Sequence, residues 1–452
     1  MFDSIVIGTG PGGYVCAVKL AQLGKKVLVI EKGELGGTCT NVGCVPTKAL
    51  LSGTELYWNL KERGARLGVV GNVSIDLNAL KSHTSKTVMM SRKGIEYLFK
   101  KNGVELKRGT AYFLEPWKVE IEETGEVFEA KSIVLANGSF PRLFPPFSEV
   151  DGVWTSDDVF SMEAIPSSIL IVGGGAIGIE FATLFSILGS KVTLVELLEH
   201  ILPLEDQDVA SEVKKALQKR GVTVYESSKV SHLTKTSSGI FSWRLETPSG
   251  EITGESEKVL VSVGRAPRIG EDFKEVGLEI DRGVKVDSRM RTNLPDVYAV
   301  GDVTGGIMLA HVAMMQGVVA AYNIAGMGKE MDYMAVPSVI FSVPEVASVG
   351  LKEKDLKSEG YKVFKYPFSA NGRARTMEER EGFVKVIADK DGIVKGFSVV
   401  GPLATELIME GVLAVKFGLK ADELSLTIHP HPTLSEAVLG AFEGVADKPI
   451  HL

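Results

Sequence analysis

The sequence predicts an α/β protein with two copies of one βαβ unit and a separate α+β segment towards the C-terminal end. Three observations carry that expectation. A glycine-rich turn after a β-branched run occurs twice, at 8–13 and 173–178. In both copies a glutamate closes a second strand-like run, 23 positions after the first glycine. From residue 331 the pattern changes, with strand-like runs at 336–341 and 383–388 and helix-like stretches near 404–417 and 434–444.

The first copy reads Ser4-Ile5-Val6-Ile7, then Gly8-Thr9-Gly10-Pro11-Gly12-Gly13, a helical stretch, and Val27-Leu28-Val29-Ile30-Glu31. The second reads Ser168-Ile169-Leu170-Ile171-Val172, then Gly173-Gly174-Gly175-Ala176-Ile177-Gly178, a helical stretch, and Val192-Thr193-Leu194-Val195-Glu196. A lone GxGxxG is weak, because glycine turns are common. Placed between a strand and a helix and closed by an acid, it is the dinucleotide fingerprint of a Rossmann-like unit. Gly8 and Gly10, like Gly173 and Gly175, allow a tight turn and close approach to a pyrophosphate; Gly13 and Gly178 allow helix and strand to pack closely. Glu31 and Glu196 are expected to accept hydrogen bonds from adenosine ribose hydroxyls. A 2′-phosphate beside Glu196 would be repelled by about 1–4 kcal/mol. Leu197-Leu198-Glu199 offers no arginine to hold one, so NAD rather than NADP is expected at the second copy.

Between the copies lies Gly36-Gly37-Thr38-Cys39-Thr40-Asn41-Val42-Gly43-Cys44-Val45-Pro46-Thr47-Lys48. The chain has three cysteines in 452 residues, too few to staple it, so a disulfide scaffold is excluded. Two cysteines five positions apart on a helical turn can form a disulfide. Pro46 suits a first helical turn, and a helix N-terminus favours thiolate. Redox chemistry is the expected use; metal binding is weaker, because no His or further Cys lies nearby in sequence. Cys16, flanked by Val15, Ala17 and Val18, reads as packing.

Composition excludes other classes. Apolar residues make up 44% and charged residues 24%, ordinary for a globular protein. A net charge of −7 without a long Lys/Arg run speaks against nucleic acid. Met1-Phe2-Asp3 leads straight into Ile5-Val6-Ile7 without a basic n-region, so a cytoplasmic location is expected. The apolar stretch 168–189 has the length of a membrane span, but its central glycines favour a buried strand, a turn and a core helix.

Seven histidines occur. His431 stands between Pro430 and Pro432, which stiffen its backbone. Glu436 follows five residues later and could orient the ring if a helix begins at Ser435, giving a base and its orienter. His429 has no such support and reads as structural.

These residues resemble the pyridine nucleotide–disulfide oxidoreductases, nearest to the members that oxidise dihydrolipoyl groups. The resemblance runs through nearly the whole chain: both glycine turns, the loop 36–48, Glu180, Val263-Gly264-Arg265, the run 292–302 ending Gly301-Asp302, and His429-Pro430-His431-Pro432-Thr433-Leu434-Ser435-Glu436. It implies FAD at the first copy and NAD at the second. Gly301 and Asp302 match the pair that binds the flavin ribityl chain, and Gly264 and Ala310 join the cofactor-binding positions. Lys48 matches a lysine near flavin N5, partnered by a glutamate matching Glu180. Cys39 becomes the cysteine that meets substrate, Cys44 the one beside flavin, and His431 with Glu436 the acid–base pair. The implied domains are 1–140 (FAD, with the redox loop), 141–264 (NAD), 265–330 (FAD again) and 331–452, an α+β dimerisation domain. The implied partners are a second copy, which shares its His, and a separate lipoyl-carrying protein of a 2-oxo acid dehydrogenase or glycine cleavage complex. No metal is expected. A reductase for another disulfide, such as glutathione with NADPH, is the nearest alternative, and a binding protein without chemistry the remote one. No cysteine follows Cys44, which excludes relatives with a second redox pair. Thr40, Asn137 and Met315-Gln316 depart from the family pattern without a chemistry that the sequence names.

Overall fold

The computed structural model describes residues 1–356 and 360–452. They form two compact units, 1–49 with 81–142 and 264–332, and 50–80 with 143–263 and 333–452.

The first unit is built on a seven-stranded sheet. Its parallel part runs in the order Glu105–Arg108, Val27–Glu31, Phe2–Ile7, Glu126–Leu135, and Val297–Ala299 also pairs in parallel with the last. The near half of Glu126–Leu135 pairs antiparallel with Lys118–Ile121, which pairs with Ala111–Glu115. The strands read as continuous apolar runs because both faces are covered. Val6, Val29 and Val134 pack on one side with Cys16, Ala17 and Leu20. Ile5, Ile7, Leu28 and Ile133 pack on the other with Phe113. That is the period of two that a strand imposes. The helix Pro11–Gln22 lies close against Ala310–Ile324, and glycine permits this. A Cβ on Gly317 would stand 2.4 Å from the carbonyl oxygen of Gly12.

The second unit carries the second copy and the C-terminal domain. A parallel sheet runs Thr223–Tyr225, Lys191–Val195, Ser168–Val172, Lys258–Val261. The apolar stretch 168–189 resolves into the strand Ser168–Val172 and the largely buried helix Ala176–Ile187. Among the described residues no helix is long and apolar enough to cross a membrane. The C-terminal domain is a five-stranded antiparallel sheet in the order Ser338–Ile340, Glu345–Gly350, Val394–Gly401, Phe383–Ala388, Lys362–Pro367. The helices Ala404–Phe417 and Ser435–Ala446 pack on it through Ile408, Ala414, Val438 and Phe442.

One strand position breaks the apolar run. Lys385 is 1% exposed, and its Nζ sits 2.6 Å from Asp206, 2.8 Å from Asp208 and 2.7 Å from Glu353. These three carboxylates lie close enough to hold a metal ion, but the Lys385 ammonium already occupies the cation's place. Nearby, Lys352 pairs with Glu205 at 2.6 Å. Buried charges stand only when paired in this way.

Candidate active site

Each fingerprint turn is shaped by its glycines. Gly8 and Gly173 take φ of +98° and +100°, open to glycine at little cost. A Cβ on Gly13 would lie 2.1 Å from the oxygen of Gly8, and one on Gly178 1.9 Å from that of Gly173. A Cβ on Gly10 or Gly175 would meet nothing within 4 Å. The outer glycines are therefore demanded by packing. The middle ones, each at the N-cap of its helix, leave space that the protein does not fill.

The acids sit where the spacing predicts. Glu31 is buried; its Oε2 accepts from the Thr9 amide at 2.7 Å and the Thr9 hydroxyl at 2.6 Å, and its Oε1 from the Gly33 amide at 2.7 Å. Glu196 accepts from the amides of Gly174 at 2.7 Å and Leu198 at 2.8 Å. A carboxylate offers roughly four lone-pair sites, so both keep capacity for a ribose hydroxyl. Open N-caps, close backbone approach and buried acids with spare acceptor capacity fit a dinucleotide in each unit.

Gly301 takes φ of +76° and opens the short turn Gly301–Thr304. Its amide donates 2.7 Å to Oε1 of the buried Gln316. Asp302 accepts a hydrogen bond from the Ser139 hydroxyl at 2.5 Å, and Arg265 Nε donates to that same hydroxyl at 2.8 Å. Gln316 thus supports the Gly301-Asp302 turn, a task that no local pattern announces. Asn137, whose backbone lies against Gly8, buries an Oδ1 with no partner among the described residues, a spare acceptor beside the first fingerprint. Thr40 is packed beneath Gly36, where a Cβ would meet its hydroxyl at 2.2 Å. Ala310 is the first residue of the helix Ala310–Ile324, and Gly264 takes φ of +105° with open space at its Cβ position.

The cysteine loop 36–48 is folded onto the first fingerprint. Gly36 and Gly37 take φ of +94° and +58°, and a Cβ on Gly37 would lie 2.8 Å from the Cα of Gly10. Cys39 lies in the short helix Gly37–Val42, and Cys44 opens the helix Cys44–Arg63, with Pro46 in its first turn. Both are free thiols, Cys39 half-buried and Cys44 exposed. They hydrogen-bond to each other. That bond, and then burial, push the Cys39 thiol far above its ordinary value, while the Lys48 ammonium pulls weakly the other way. Cys16 is fully buried, and burial raises it to about 12, so it is inert. Asn41 ties the loop together. Its Nδ2 donates to the carbonyls of Gly37 at 2.8 Å and Leu35 at 3.0 Å, while its Oδ1 accepts from Arg92 on the helix Leu77–Asn102.

In the second unit Glu180 is buried on the helix Ala176–Ile187, and its Oε1 accepts from the Phe341 amide at 3.1 Å. His431 Nδ1 lies 2.8 Å from Glu436 Oε1, and Glu436 Oε2 accepts from the Thr433 amide at 2.8 Å. Burial raises the Glu436 carboxyl, but the bonds from His431 and Thr433 outweigh it and hold the group below the usual carboxylate range. The His431 side chain is 79% exposed. His429 is the opposite: its side chain is 7% exposed and meets Glu410 at 3.1 Å. The helix Ser435–Ala446 begins where the His–Glu spacing requires.

With this geometry in place, comparison with known proteins is decisive. Residues 2–317 match the family model described as pyridine nucleotide-disulphide oxidoreductase, and 336–442 match that family's dimerisation domain. The chain belongs to the pyridine nucleotide-disulphide oxidoreductase family. It is 43% identical to a dihydrolipoyl dehydrogenase of Thermus scotoductus, covering 100% of this chain and 99% of that one. It is 40% identical to the mitochondrial dihydrolipoyl dehydrogenase 2 of Arabidopsis thaliana, covering 100% and 91%. The LpdA protein of Mycobacterium tuberculosis superposes with a TM-score of 0.88 at 29% identity, covering 98% of this chain and 99% of that one. Membership makes the chain a flavoprotein disulfide oxidoreductase, and the antiparallel C-terminal sheet is the family's dimerisation domain.

Proposed function

We propose that this chain oxidises protein-bound dihydrolipoyl groups to the lipoyl disulfide and passes the electrons through Cys39 and Cys44 and FAD to NAD⁺. The observation that carries the reading is the thiol pair: Cys39 and Cys44 hydrogen-bonded to each other on a loop packed against the first fingerprint turn. The dihydrolipoyl substrate rests on full-length relatives about 40% identical that bear the name dihydrolipoyl dehydrogenase.

Gly8, Gly10, Gly13, Glu31, Gly301, Asp302, Ala310 and Lys48 would hold FAD; Gly173, Gly175, Gly178, Glu196 and Gly264 would hold NAD. The chemistry that FAD supplies when bound is to take the electron pair from the reduced cysteines and release it as hydride to NAD⁺. Everything before that is thiol chemistry of the chain. With the cysteines as a disulfide, a substrate thiol gives its proton to Nε2 of His431, whose other nitrogen is held by Glu436. The thiolate attacks Sγ of Cys39; the S–S bond breaks and Cys44 leaves as thiolate. The second substrate thiol attacks the substrate sulfur joined to Cys39, and its proton passes to the departing Cys39 sulfur while His431 keeps the first. A lipoyl disulfide forms. The substrate is oxidised by two electrons and the cysteine pair reduced by two. A free thiol near pKa 8.5 is only about 3% ionised at pH 7, so a base gains at most roughly 30-fold by ionisation. Positioning and a good leaving thiolate supply the rest.

A homodimer belongs to this reading. Phe417, Leu426 and Ile428 of the C-terminal domain are 68%, 85% and 96% exposed. An apolar surface of that kind wants a cover, and a second copy through the dimerisation domain is the fitting one. His431, close by in sequence and exposed, would then serve the partner's cysteines. The decisive experiment is NAD⁺ reduction with dihydrolipoamide, run beside glutathione disulfide with NADPH. Rapid turnover only with the first pair is expected; turnover only with the second would replace this function by the alternative. A colourless protein that takes up no flavin would remove both.

A further inference from the structure

We infer that Glu410 and His429 form a second His–Glu pair whose task is to position the His431 base from its N-terminal side. This rests on the reading of His431 as the acid–base group.

The segment 426–434 lies outside every helix and strand. Pro430 and Pro432 flank His431, and neither has an amide hydrogen to bond to a neighbour. Backbone-to-backbone hydrogen bonds among the described residues reach Thr427 on one side and Leu434 on the other, and side chains hold the stretch between. On the C-terminal side the anchors are the Glu436 carboxylate, which grips both His431 and the Thr433 amide, and the buried Asn371, whose Nδ2 donates 3.0 Å to the Thr433 oxygen. Thr433 Oγ1 also donates to the Pro430 oxygen at 2.7 Å. On the N-terminal side the anchor is His429. Its Nδ1 lies 2.8 Å from the Thr427 oxygen, and its Nε2 3.1 Å from Glu410 Oε2 on the helix Ala404–Phe417.

Both ring nitrogens of His429 are engaged, one by the Thr427 oxygen and one by Glu410, so neither is open to a substrate. The His429 side chain is buried while that of His431 is exposed. The two pairs are thus divided in labour. Glu436 orients the reactive ring; Glu410, through His429, fixes the backbone that the ring hangs from. The Ala404–Phe417 helix is itself seated on the antiparallel sheet through Ile408 and Ala414, so the anchor reaches the domain core.

The test uses the full-length holoenzyme and reads its two half-reactions separately: flavin reduction by dihydrolipoamide and flavin reduction by NADH. His429→Ala and Glu410→Ala are expected to slow the dithiol half by about 10- to 30-fold, up to the whole of what the base supplies by ionisation. KM for dithiol should hold, and the NADH half should run at its normal rate. The loss should shrink as pH rises past a thiol's ordinary pKa, near 8.5, because substrate then ionises without help. Glu410→Gln should stay within about threefold of the parent, since a side-chain amide can donate to Nε2 of a singly protonated ring. His431→Gln is run alongside. If it too leaves the dithiol half intact, the underlying reading of His431 fails. If it cripples that half while His429→Ala and Glu410→Ala do not, this inference alone is overturned. A loss shared equally by both halves, with no recovery at high pH, marks a merely structural pair and overturns it as well. So does a Glu410→Gln variant as slow as Glu410→Ala.

Discussion

Nδ1 of His431 and Oε1 of Glu436 stand 2.8 Å apart, on a ring that is otherwise open to solvent. That single bond decides which nitrogen is left for chemistry. A carboxylate accepts only, so Nδ1 carries the hydrogen towards it and Nε2 of the neutral ring is free to take a proton. His431→Gln should therefore cripple flavin reduction by dithiol, by up to the roughly 30-fold that ionisation can supply, and leave flavin reduction by NADH intact. Stopped-flow traces of the two halves check this; equal loss in both would make His431 a structural residue. Because Glu436 is held below the usual carboxylate range, its bond to His431 is present above that range and is lost as pH falls through the lowered value.

The cysteines are expected to divide their roles. Cys39 holds its proton tightly because it is hydrogen-bonded to Cys44 and part-buried. In the proposed reading Cys44 is the sulfur that carries the thiolate of the reduced pair. Neither serine variant has a disulfide left to reduce, so the test reads the oxidised flavin. Cys39→Ser should show a long-wavelength thiolate–flavin absorption without any reductant, whereas Cys44→Ser should lack it. Visible spectra of the two oxidised holoenzyme variants show which holds; a band in Cys44→Ser and none in Cys39→Ser would exchange the two assignments.

Gly10 and Gly13 separate cofactor binding from folding. Gly10 has φ of −58° and open space where a Cβ would go, so alanine costs the fold little. Any effect of Gly10→Ala must come from what approaches that space. Gly13→Ala drives a Cβ to 2.1 Å from a backbone oxygen, which no side chain can relieve. Gly10→Ala should give soluble protein with a near-parental far-UV spectrum and FAD affinity lower by 10-fold or more, measured by flavin fluorescence on reconstitution. Gly13→Ala should fail to fold. Full flavin retention in Gly10→Ala would mean that no phosphate uses that turn.

Lys385 bears on stability. Removing it strands Asp206, Asp208 and Glu353 around a hole, and breaking a buried pair costs about 3–5 kcal/mol. Lys385→Met should lower the thermal midpoint of the holoenzyme clearly; an unchanged midpoint would show the charges to be idle. The pH window follows from the shifts. Burial works against the Lys385 charge, but its three carboxylate bonds win and raise its pKa. Its contribution is complete below an ordinary lysine pKa, about 10.4, and is lost as pH rises through the raised value. Asp208 is lowered by Lys385 and Lys365 against the opposing effect of burial. Its contribution is complete above about 3.9 and is lost as pH falls through the lowered value.

What was legible in the sequence was what is local in the chain. Glycine turns, β-branched runs and the acids Glu31 and Glu196 fall within one βαβ unit each, so spacing alone placed them on strands and helix ends. The strand and helix of 168–189 followed from the glycines inside an apolar run. Partners far apart in sequence were not legible. Asn41 and Arg92 are 51 residues apart, His429 and Glu410 19, and Lys385 and Asp206 179. No periodicity says which distant side chain closes such a bond; only the fold does. Thr40 and Gln316 looked like neutral departures from a pattern for the same reason. Their work is to fill the space under Gly36 and to hold the Gly301 amide.

In the proposed reading Glu196 sets the cofactor choice; its carboxylate is buried and bound by the Gly174 and Leu198 amides. Those bonds would keep the charge in place beside the 2′-position of a bound adenosine ribose. The repulsion estimated at about 1–4 kcal/mol converts to a preference of roughly 5- to 1,000-fold for NAD over NADP. Reversing it takes two changes, because removing the charge leaves nothing to bind the phosphate. Leu197 is exposed beside Glu196 and can be replaced without disturbing the core. Glu196→Ser combined with Leu197→Arg should move the ratio of kcat/KM values by at least 10-fold towards NADP. It should also weaken NAD, since the ribose loses its acceptor. Steady-state kinetics with both nucleotides tests this. A parental enzyme that already favours NADP, or a double variant whose ratio does not move, would show that Glu196 does not face the adenosine ribose.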